Sequence, residues 1–117
     1  MKKIAIILRR PPYGDIYAAE AVRHAMGAAS EELETSLIMV DGGALLSKKG
    51  QDMGDSGYTN LGETLKDCMD MGVAVYAEKA SLRELNLEAG DILEGVRTAN
   101  GPEIAELIQG ADHSMVF

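Results

Sequence analysis

The stretch that decides the fold class is Ile4–Leu8, which reads Ile-Ala-Ile-Ile-Leu. Five consecutive apolar residues are enough for a strand, and a strand that is apolar on both faces is typical of the interior of a parallel sheet. Comparable short apolar runs follow at residues 37–40, 73–77 and 115–117. We therefore expect buried strands that alternate with helices along the chain.

Capping residues and apolar periodicity place helices between these runs. The predicted helix starts are marked by Asp15, by the pair Asn60 and Glu63, by the pair Ser81 and Glu84, and by Pro102. The last helix is expected to present Ile104, Leu107 and Ile108 on its apolar face. Together these elements predict an α/β fold over residues 1–117, a single three-layer α/β/α domain with a mainly parallel sheet of about five strands.

The composition is that of a globular protein, with 46% hydrophobic and 26% charged residues among 117. Eleven basic residues against 19 acidic ones give a net charge of -8. Because phosphate contacts need a basic surface, this charge argues against direct binding of nucleic acid and favours a basic partner.

Cysteine and histidine are scarce, with one Cys and two His in the whole chain. No disulfide within one chain, no metal site and no cofactor are predicted from so few ligands. The first apolar run ends after five residues at Arg9, which is too short for a signal peptide or a membrane span. We expect a cytoplasmic protein that does not enter a membrane.

Candidate site residues follow the predicted strands, because ligands of open α/β sheets bind beyond the carboxyl ends of the strands. These residues are Arg9, Arg10, Tyr13 and Gly14 after the first strand, Asp41 and Gly42 after the second, and Glu78 and Ser81 after the third. The two arginines can clamp an anion, or they can be a solvated pair that ends the strand. The Asp-Gly-Gly segment can admit a ligand to the backbone or can be a plain turn.

Cys68 lies on the apolar stripe of the second predicted helix, near its carboxyl end. Both features raise the pKa of a thiol, so we predict a packed core cysteine rather than a nucleophile. His24 and His113 are far apart in sequence and suggest no catalytic triad. Tyr58, in a loop rich in Gly, Ser and Asp, is compatible with a lid, a subunit contact or an ordinary loop.

Several short segments occur together in an order typical of one family. They are the Pro-Tyr-Gly turn at 12–14, Asp41-Gly42, Lys49-Gly50-Gln51, Ala80-Ser81-Leu82-Arg83-Glu84, Glu94-Gly95-Val96 and the closing Ala111-Asp112 with Val116-Phe117. In these segments the sequence resembles the DsrE/DsrF-like family, which includes sulfur-relay subunits of the TusC and TusD kinds and the YchN-like proteins. The resemblance covers nearly the whole chain.

The resemblance implies a small cytoplasmic α/β protein that assembles into trimers or hexamers and works with sulfur-relay partners. It also implies that catalytic members carry a persulfide on a cysteine after the third strand, at the position of Glu78. A second cysteine of some relatives corresponds to Ser81. Neither residue can hold a persulfide, so we expect a non-catalytic subunit, structural or partner-binding, in intracellular sulfur handling.

Two other functions stay open at this point. One is a sulfurtransferase that uses Cys68 or borrows a cysteine from a partner subunit. The other is a small-anion-binding protein built around Arg9 and Arg10. Glu78 at the sulfur-carrier position separates the first expectation from the sulfurtransferase.

Overall fold

The structure is a computed structural model that describes residues 2–51 and 60–117. Its strands are β1 (Lys3–Leu8), β2 (Glu34–Met39), β3 (Ala74–Glu78), β4 (Arg97–Ala99) and β5 (His113–Val116). Its α-helices are α1 (Tyr17–Ser30), α2 (Leu61–Asp70), α3 (Lys79–Glu84) and α4 (Gly101–Gln109), and 3₁₀ helices cover Asp41–Ser47 and Ala89–Asp91.

The five strands form one sheet in the order β4-β3-β2-β1-β5, and every neighbouring pair is parallel. The predicted fold class is therefore confirmed. From β1 to β4 the chain steps to the next strand each time, and α4 then carries it back across the sheet to β5. All carboxyl ends meet at one edge of the sheet, which we call the carboxyl edge. The strand order reverses between β1 and β5, where ligands of such sheets bind.

The two faces of the sheet are covered unequally. On the first face α1, α2 and α3 bury a large cluster that includes Ile6, Leu37 and Leu65. On the second face a smaller cluster joins Ile38 to Ile104 of α4. Because parallel crossovers are right-handed, the step back from β4 to β5 must cross on the opposite face from the earlier steps. One helix therefore covers the second face, where the sequence predicted a full layer.

Side-chain caps lie at two of the four α-helix starts, those of α2 and α4. In α2, Asn60 Oδ1 accepts a hydrogen bond from Glu63 N–H at 3.2 Å. Asp15 Oδ1 accepts from the backbone N–H of Tyr17 at 3.0 Å, but the N-cap position of α1 is Ile16, which makes no side-chain cap. The helix predicted near Pro102 begins at Gly101 with Asn100 as its cap. Each cap satisfies a donor that the first helical turn leaves unpaired.

The predicted cap of α3 is wrong. Ser81 lies inside the helix, and the capping position belongs to Glu78. The Ser-x-x-Glu pattern is misleading here because β3 runs through Glu78 and α3 begins at the next residue, with no intervening loop. Ser81 is consequently at the third helical position, where its hydroxyl is buried and serves the site described below.

One other expectation needs correction, and one strand was not predicted. Ile108, expected on the apolar face of α4, is exposed, because the helix buries only a narrow stripe centred on Ile104. The strand Arg97–Ala99 has no apolar run in its sequence because it lies at the sheet edge, and only Ala99 is buried. In the described residues no helix is both long enough and apolar enough to span a membrane.

Candidate functional site

A row of polar contacts runs along the carboxyl edge from the end of β1 to the start of α3. Arg9 Nε lies 3.6 Å from Asp41 Oδ2. The backbone N–H of Asp41 donates to Ser81 Oγ at 2.7 Å, and the Ser81 hydroxyl donates to Glu78 Oε1. The structure thus brings together four of the predicted site residues, which follow three strands: Arg9 after β1, Asp41 after β2, and Glu78 and Ser81 where β3 passes into α3. We call them the Arg9–Glu78 row.

Ser81 is the buried centre of this row. Its side chain is 2% exposed, and its hydroxyl both accepts from Asp41 N–H and donates to Glu78. A hydroxyl engaged on both sides is held in one orientation, so it fixes the half-buried carboxylate of Glu78. Among the described ion pairs neither Lys79 nor Arg83 reaches Glu78, although the sequence allowed either as its partner.

The turn after β2 lies directly against the end of β1. Gly43 N–H donates to Arg9 O at 3.1 Å and to Val40 O at 2.9 Å. A Cβ at Gly43 would be 2.2 Å from the carbonyl oxygen of Leu8, and one at Gly42 would be 3.1 Å from the ring of Pro11. The space that the two glycines leave open is therefore occupied by Leu8 and Pro11 of this chain and not by a ligand. Their close approach sets the spacing between Arg9 and the Asp41 turn.

Arg10 stands beside the row in a pocket of about 410 Å³ at the point where the strand order reverses. Its guanidinium carbon lies 4.6 Å from the centre of the Tyr17 ring, and Nη1 lies 3.7 Å from Asp15 Oδ2. The pocket is lined by Arg9, Arg10, Tyr17, Asp41, Val116 and Phe117. Both arginine side chains are more than half exposed, so they are accessible to an anion or to another protein.

Tyr13 and Gly14 take no part in the described hydrogen bonds and ion pairs of the row. The Tyr13 hydroxyl donates to Gln51 Oε1 at 2.7 Å and accepts from Leu61 N–H at 3.3 Å, which ties the loop after β1 to the start of α2. Gly14 has φ +108° and makes a left-handed turn before α1. Tyr58 lies outside the described residues.

Cys68 is in the core of the first face, beneath α1. Its side chain is fully buried, and its Sγ donates a weak hydrogen bond to Val22 O at 3.7 Å. Burial, with a smaller contribution from the Asp67 carboxylate, raises the pKa of the thiol from 9.0 to about 11. A neutral thiol packed under a helix has neither the charge nor the access that a sulfur nucleophile needs.

We expect the native protein to react slowly with iodoacetamide at Cys68 and the denatured protein to react rapidly. Between about pH 9 and about pH 11 the unfolded thiol ionises while the folded thiol stays protonated. The folded state then binds more protons, so the free energy of unfolding falls as pH rises, by up to about 1.4 kcal/mol per pH unit.

Urea denaturation of wild type and Cys68→Ala across this pH range isolates the contribution of the thiol, since every other titrating group is common to both proteins. The difference between the two unfolding free energies should be constant below about pH 9 and should shrink above it. Rapid native alkylation, or a difference that does not change with pH, would contradict the placement of Cys68.

Two residues of the site have no clear sequence signal. Tyr17 and Ile16 are two large apolar residues at the start of α1. They lie outside its buried stripe, which consists mostly of alanine. The difference in size between these two residues and the buried alanines is the one sequence signal that could have identified Ile16 and Tyr17 as surface residues. Gln51 holds Tyr13, and nothing in its sequence context indicates this. Over residues 2–51 and 60–117, no cluster of three or more His, Cys, Asp or Glu side chains could hold a metal ion.

Two known proteins are similar to this chain in sequence over most of its length. An uncharacterized protein of Methanopyrus kandleri is 28% identical over 114 residues, which cover 97% of this chain and 93% of that protein. The intracellular sulfur oxidation protein DsrF of Allochromatium vinosum is 30% identical over 95 residues, 80% of this chain and 70% of that protein.

Among solved structures, the YchN protein of E. coli superposes with a TM-score of 0.92 at 24% identity, over 100% of both chains. A protein of Methanobacterium thermoautotrophicum superposes with a TM-score of 0.78 at 10% identity, also over the whole of both chains. These two likenesses show the fold. Residues 2–117 match the sequence pattern of one family, so the chain belongs to the DsrE/DsrF-like family.

Proposed function

We propose that this chain is a non-catalytic subunit, structural or partner-binding, in intracellular sulfur handling. The observation that carries the proposal is Glu78, which lies at the N-cap position of α3 at the end of β3 and accepts a hydrogen bond from the Ser81 hydroxyl. The resemblance to the family places the sulfur carrier of catalytic members at this position. Membership of the family and the likeness to the DsrF protein support the sulfur context.

The chemistry at Glu78 does not suit sulfur transfer. A sulfur carrier must attack as a thiolate and hold the sulfur as a persulfide, and a carboxylate does neither. The one thiol of the chain is fully buried with its pKa raised to about 11. The residues that remain accessible at the carboxyl edge include charged groups suited to recognition, among them Arg9 and Arg10.

The proposal includes a cytoplasmic location, self-association and contact with sulfur-relay proteins. The net charge of -8 makes a protein partner more suitable than direct contact with nucleic acid. A sulfurtransferase in which a partner subunit supplies the cysteine is compatible with the same edge. Transfer through Cys68 would first require the core under α1 to open.

Exposure of the purified protein to a persulfide donor, such as a cysteine desulfurase with cysteine, tests the proposal. Intact-protein mass spectrometry should show no added sulfur atom on the native chain. As a control, iodoacetamide should alkylate Cys68 of the same chain in urea. A persulfide on native Cys68 would overturn the proposal and would support the sulfurtransferase alternative.

The pocket beside Arg10 keeps small-anion binding as a second candidate, since two exposed guanidinium groups line it with Tyr17. Calorimetric titration with sulfate and thiosulfate tests it. If the protein binds small anions, the wild type should bind sulfate or thiosulfate, and the double variant Arg9→Gln with Arg10→Gln should not. Under the favoured function neither protein binds these anions appreciably.

We expect the wild type to be a homo-oligomer, a trimer or a hexamer, at micromolar concentration. Light scattering coupled to size exclusion measures the mass directly. A monomer at all concentrations would contradict the self-association in the proposal.

A further inference from the structure

The outer side of β5 is an unpaired strand edge. Phe117 N–H donates to Ile7 O and Phe117 O accepts from Arg9 N–H, both at 2.8 Å. Phe117 therefore directs both of its backbone groups toward β1. Because this direction alternates along a strand, Ser114 and Val116 direct theirs away from β1. Among the described strands β5 is the last of the sheet on this side, so these N–H and C=O groups face outward.

The sequence of β5 lacks the residues that usually protect an edge strand. Natural sheet edges carry charged side chains, above all lysine, or proline, and these prevent another strand from pairing. The opposite edge strand, β4, is three residues long and carries Arg97. In contrast, β5 reads His-Ser-Met-Val, and its Val116 is 63% exposed. The composition of β5 therefore favours pairing with a further strand.

An apolar groove lies beside this edge on the first face of the sheet. It is a pocket of about 480 Å³ between α1 and β5, and Ile4, Leu33 and Met115 supply much of its apolar lining. Glu31, the residue after α1, also lines it. We call this pocket the β5 groove. Successive side chains of a strand point to opposite faces, so every second side chain of a strand added to β5 would point toward the groove.

Two carboxylates near the amino end of β5 have no cationic partner among the described ion pairs. They are Glu31, in the β5 groove, and Asp112, which directly precedes β5. Arg23, which also lines the groove, is paired with Glu20. A β5 strand from a second copy would bring no lysine or arginine to this place, since residues 98–117 contain neither. The charges therefore favour a basic occupant that is not this chain.

We propose that the outer edge of β5 binds an extended, basic peptide segment of another protein as an added strand. The backbone of the segment pairs with Ser114 and Val116. One apolar side chain of the segment enters the β5 groove beside Met115, and a lysine or arginine meets Glu31. These two side chains are two residues apart in the segment, because both must lie on the same face of the added strand.

In this mode of recognition the main-chain hydrogen bonds supply affinity, and the pockets for alternate side chains supply selectivity. The inference rests on the partner-binding role in the proposed function and assigns that role to a surface. This surface is separate from Glu78, since β3 and β5 have two strands between them. Binding at the β5 edge therefore leaves the carboxyl end of β3 open.

Selection from a library of random decapeptides displayed on phage, with the wild-type protein as the target, tests the proposal. The enriched peptides should share an apolar residue and a lysine or arginine two positions apart. Fluorescence anisotropy with labelled synthetic copies then gives the dissociation constant for each variant of the protein.

Proline at position 114 tests the strand pairing. Ser114→Pro removes an outward N–H and leaves the bonds between β5 and β1 in place, which is why edge strands tolerate proline. It should raise the dissociation constant about tenfold or more, because the peptide loses a backbone partner and meets the proline ring. Ser114→Ala keeps the N–H and should bind as the wild type does. Urea denaturation will verify that both variants are folded.

A charge reversal tests the basic side chain of the segment. Glu31→Lys should raise the dissociation constant about tenfold or more, since it sets like charges against each other. Glu84→Lys makes the same change of net charge at an exposed position at the end of α3 and should have little effect.

N-methylated peptides test the pairing on the wild-type protein itself, without any variant that could misfold. A peptide in an added strand directs the N–H groups of alternate residues toward β5. N-methylation of one alternate set should abolish binding, and N-methylation of the other set should be tolerated. A peptide held only by its side chains would not show this alternation.

The outcomes separate this surface from the proposed function. The absence of enriched peptides, or peptides that bind Ser114→Pro as tightly as the wild type, overturns the added strand. Enriched peptides without a basic residue, or equally sensitive to Glu31→Lys and Glu84→Lys, overturn the basic partner. A Ser114→Pro protein whose mass by light scattering falls below that of the wild type shows that a second copy occupies the edge, which also overturns the proposal. The persulfide experiment does not depend on any of these results.

Discussion

Gly43→Ala should destabilise the protein by at least about 3 kcal/mol, toward the upper end of the cost of overpacking. The added Cβ would lie 2.2 Å from the carbonyl oxygen of Leu8 and 2.8 Å from its carbonyl carbon. These are backbone atoms of a strand in the sheet, so no side-chain rotation relieves the clash. Relief requires the 3₁₀ helix to move off β1, which breaks the bond from Gly43 N–H to Arg9 O. Urea denaturation followed by circular dichroism measures the loss.

Gly27→Ala is the matched control for this substitution. Gly27 is an exposed position inside α1, and a Cβ there meets nothing within 4 Å. Alanine should stabilise the protein by about 0.5–1 kcal/mol, because glycine loses more backbone freedom in a helix. If the two variants lose similar stability, the close approach at Gly43 is not what holds the turn after β2.

The sheet could be predicted because its central strands are apolar runs. The stretch Ile4–Leu8 lies between β2 and β5 and is buried on both faces, which is why its sequence has no alternation. The edge strand Arg97–Ala99 has no such signal, because a strand with a single neighbour and exposed side chains needs no apolar residues. The start of β2 was also missed, since Thr35 and Ser36 pair with β1 although they are polar.

The candidate site was only partly predictable, and the reason is geometric. The rule that ligands bind at the carboxyl ends of parallel strands identified Arg9, Asp41 and Glu78 from sequence alone. It could not show that Ser81 joins Asp41 to Glu78, because that contact spans 40 residues of sequence and depends on α3 starting without a loop. Likewise, no local pattern indicates that Tyr13 bonds to Gln51 rather than facing the site.

Glu78→Cys in a Cys68→Ala background should create a rapidly alkylated thiol with a pKa below the unperturbed value of about 8.5. Position 78 is half-buried at the start of α3, and the Ser81 hydroxyl already donates to the side chain there. A hydrogen bond donated to the thiolate, together with the positive end of a helix, stabilises the charged form. The rate of reaction with iodoacetamide as a function of pH gives the pKa directly.

Two further variants show whether the site itself activates this thiol. Adding Ser81→Ala removes the donor and should raise the pKa of the thiol at position 78, whereas Glu106→Cys in the same background places a thiol on exposed α4 and should titrate near about 8.5. With the persulfide donor, the Glu78→Cys chain should gain a sulfur atom that the wild type does not gain. A thiol at position 78 with the pKa of the α4 control would mean that the edge around Ser81 cannot activate sulfur. The absence of a cysteine would then not be what makes the chain non-catalytic, because the family's sulfur position would lie elsewhere in this sequence.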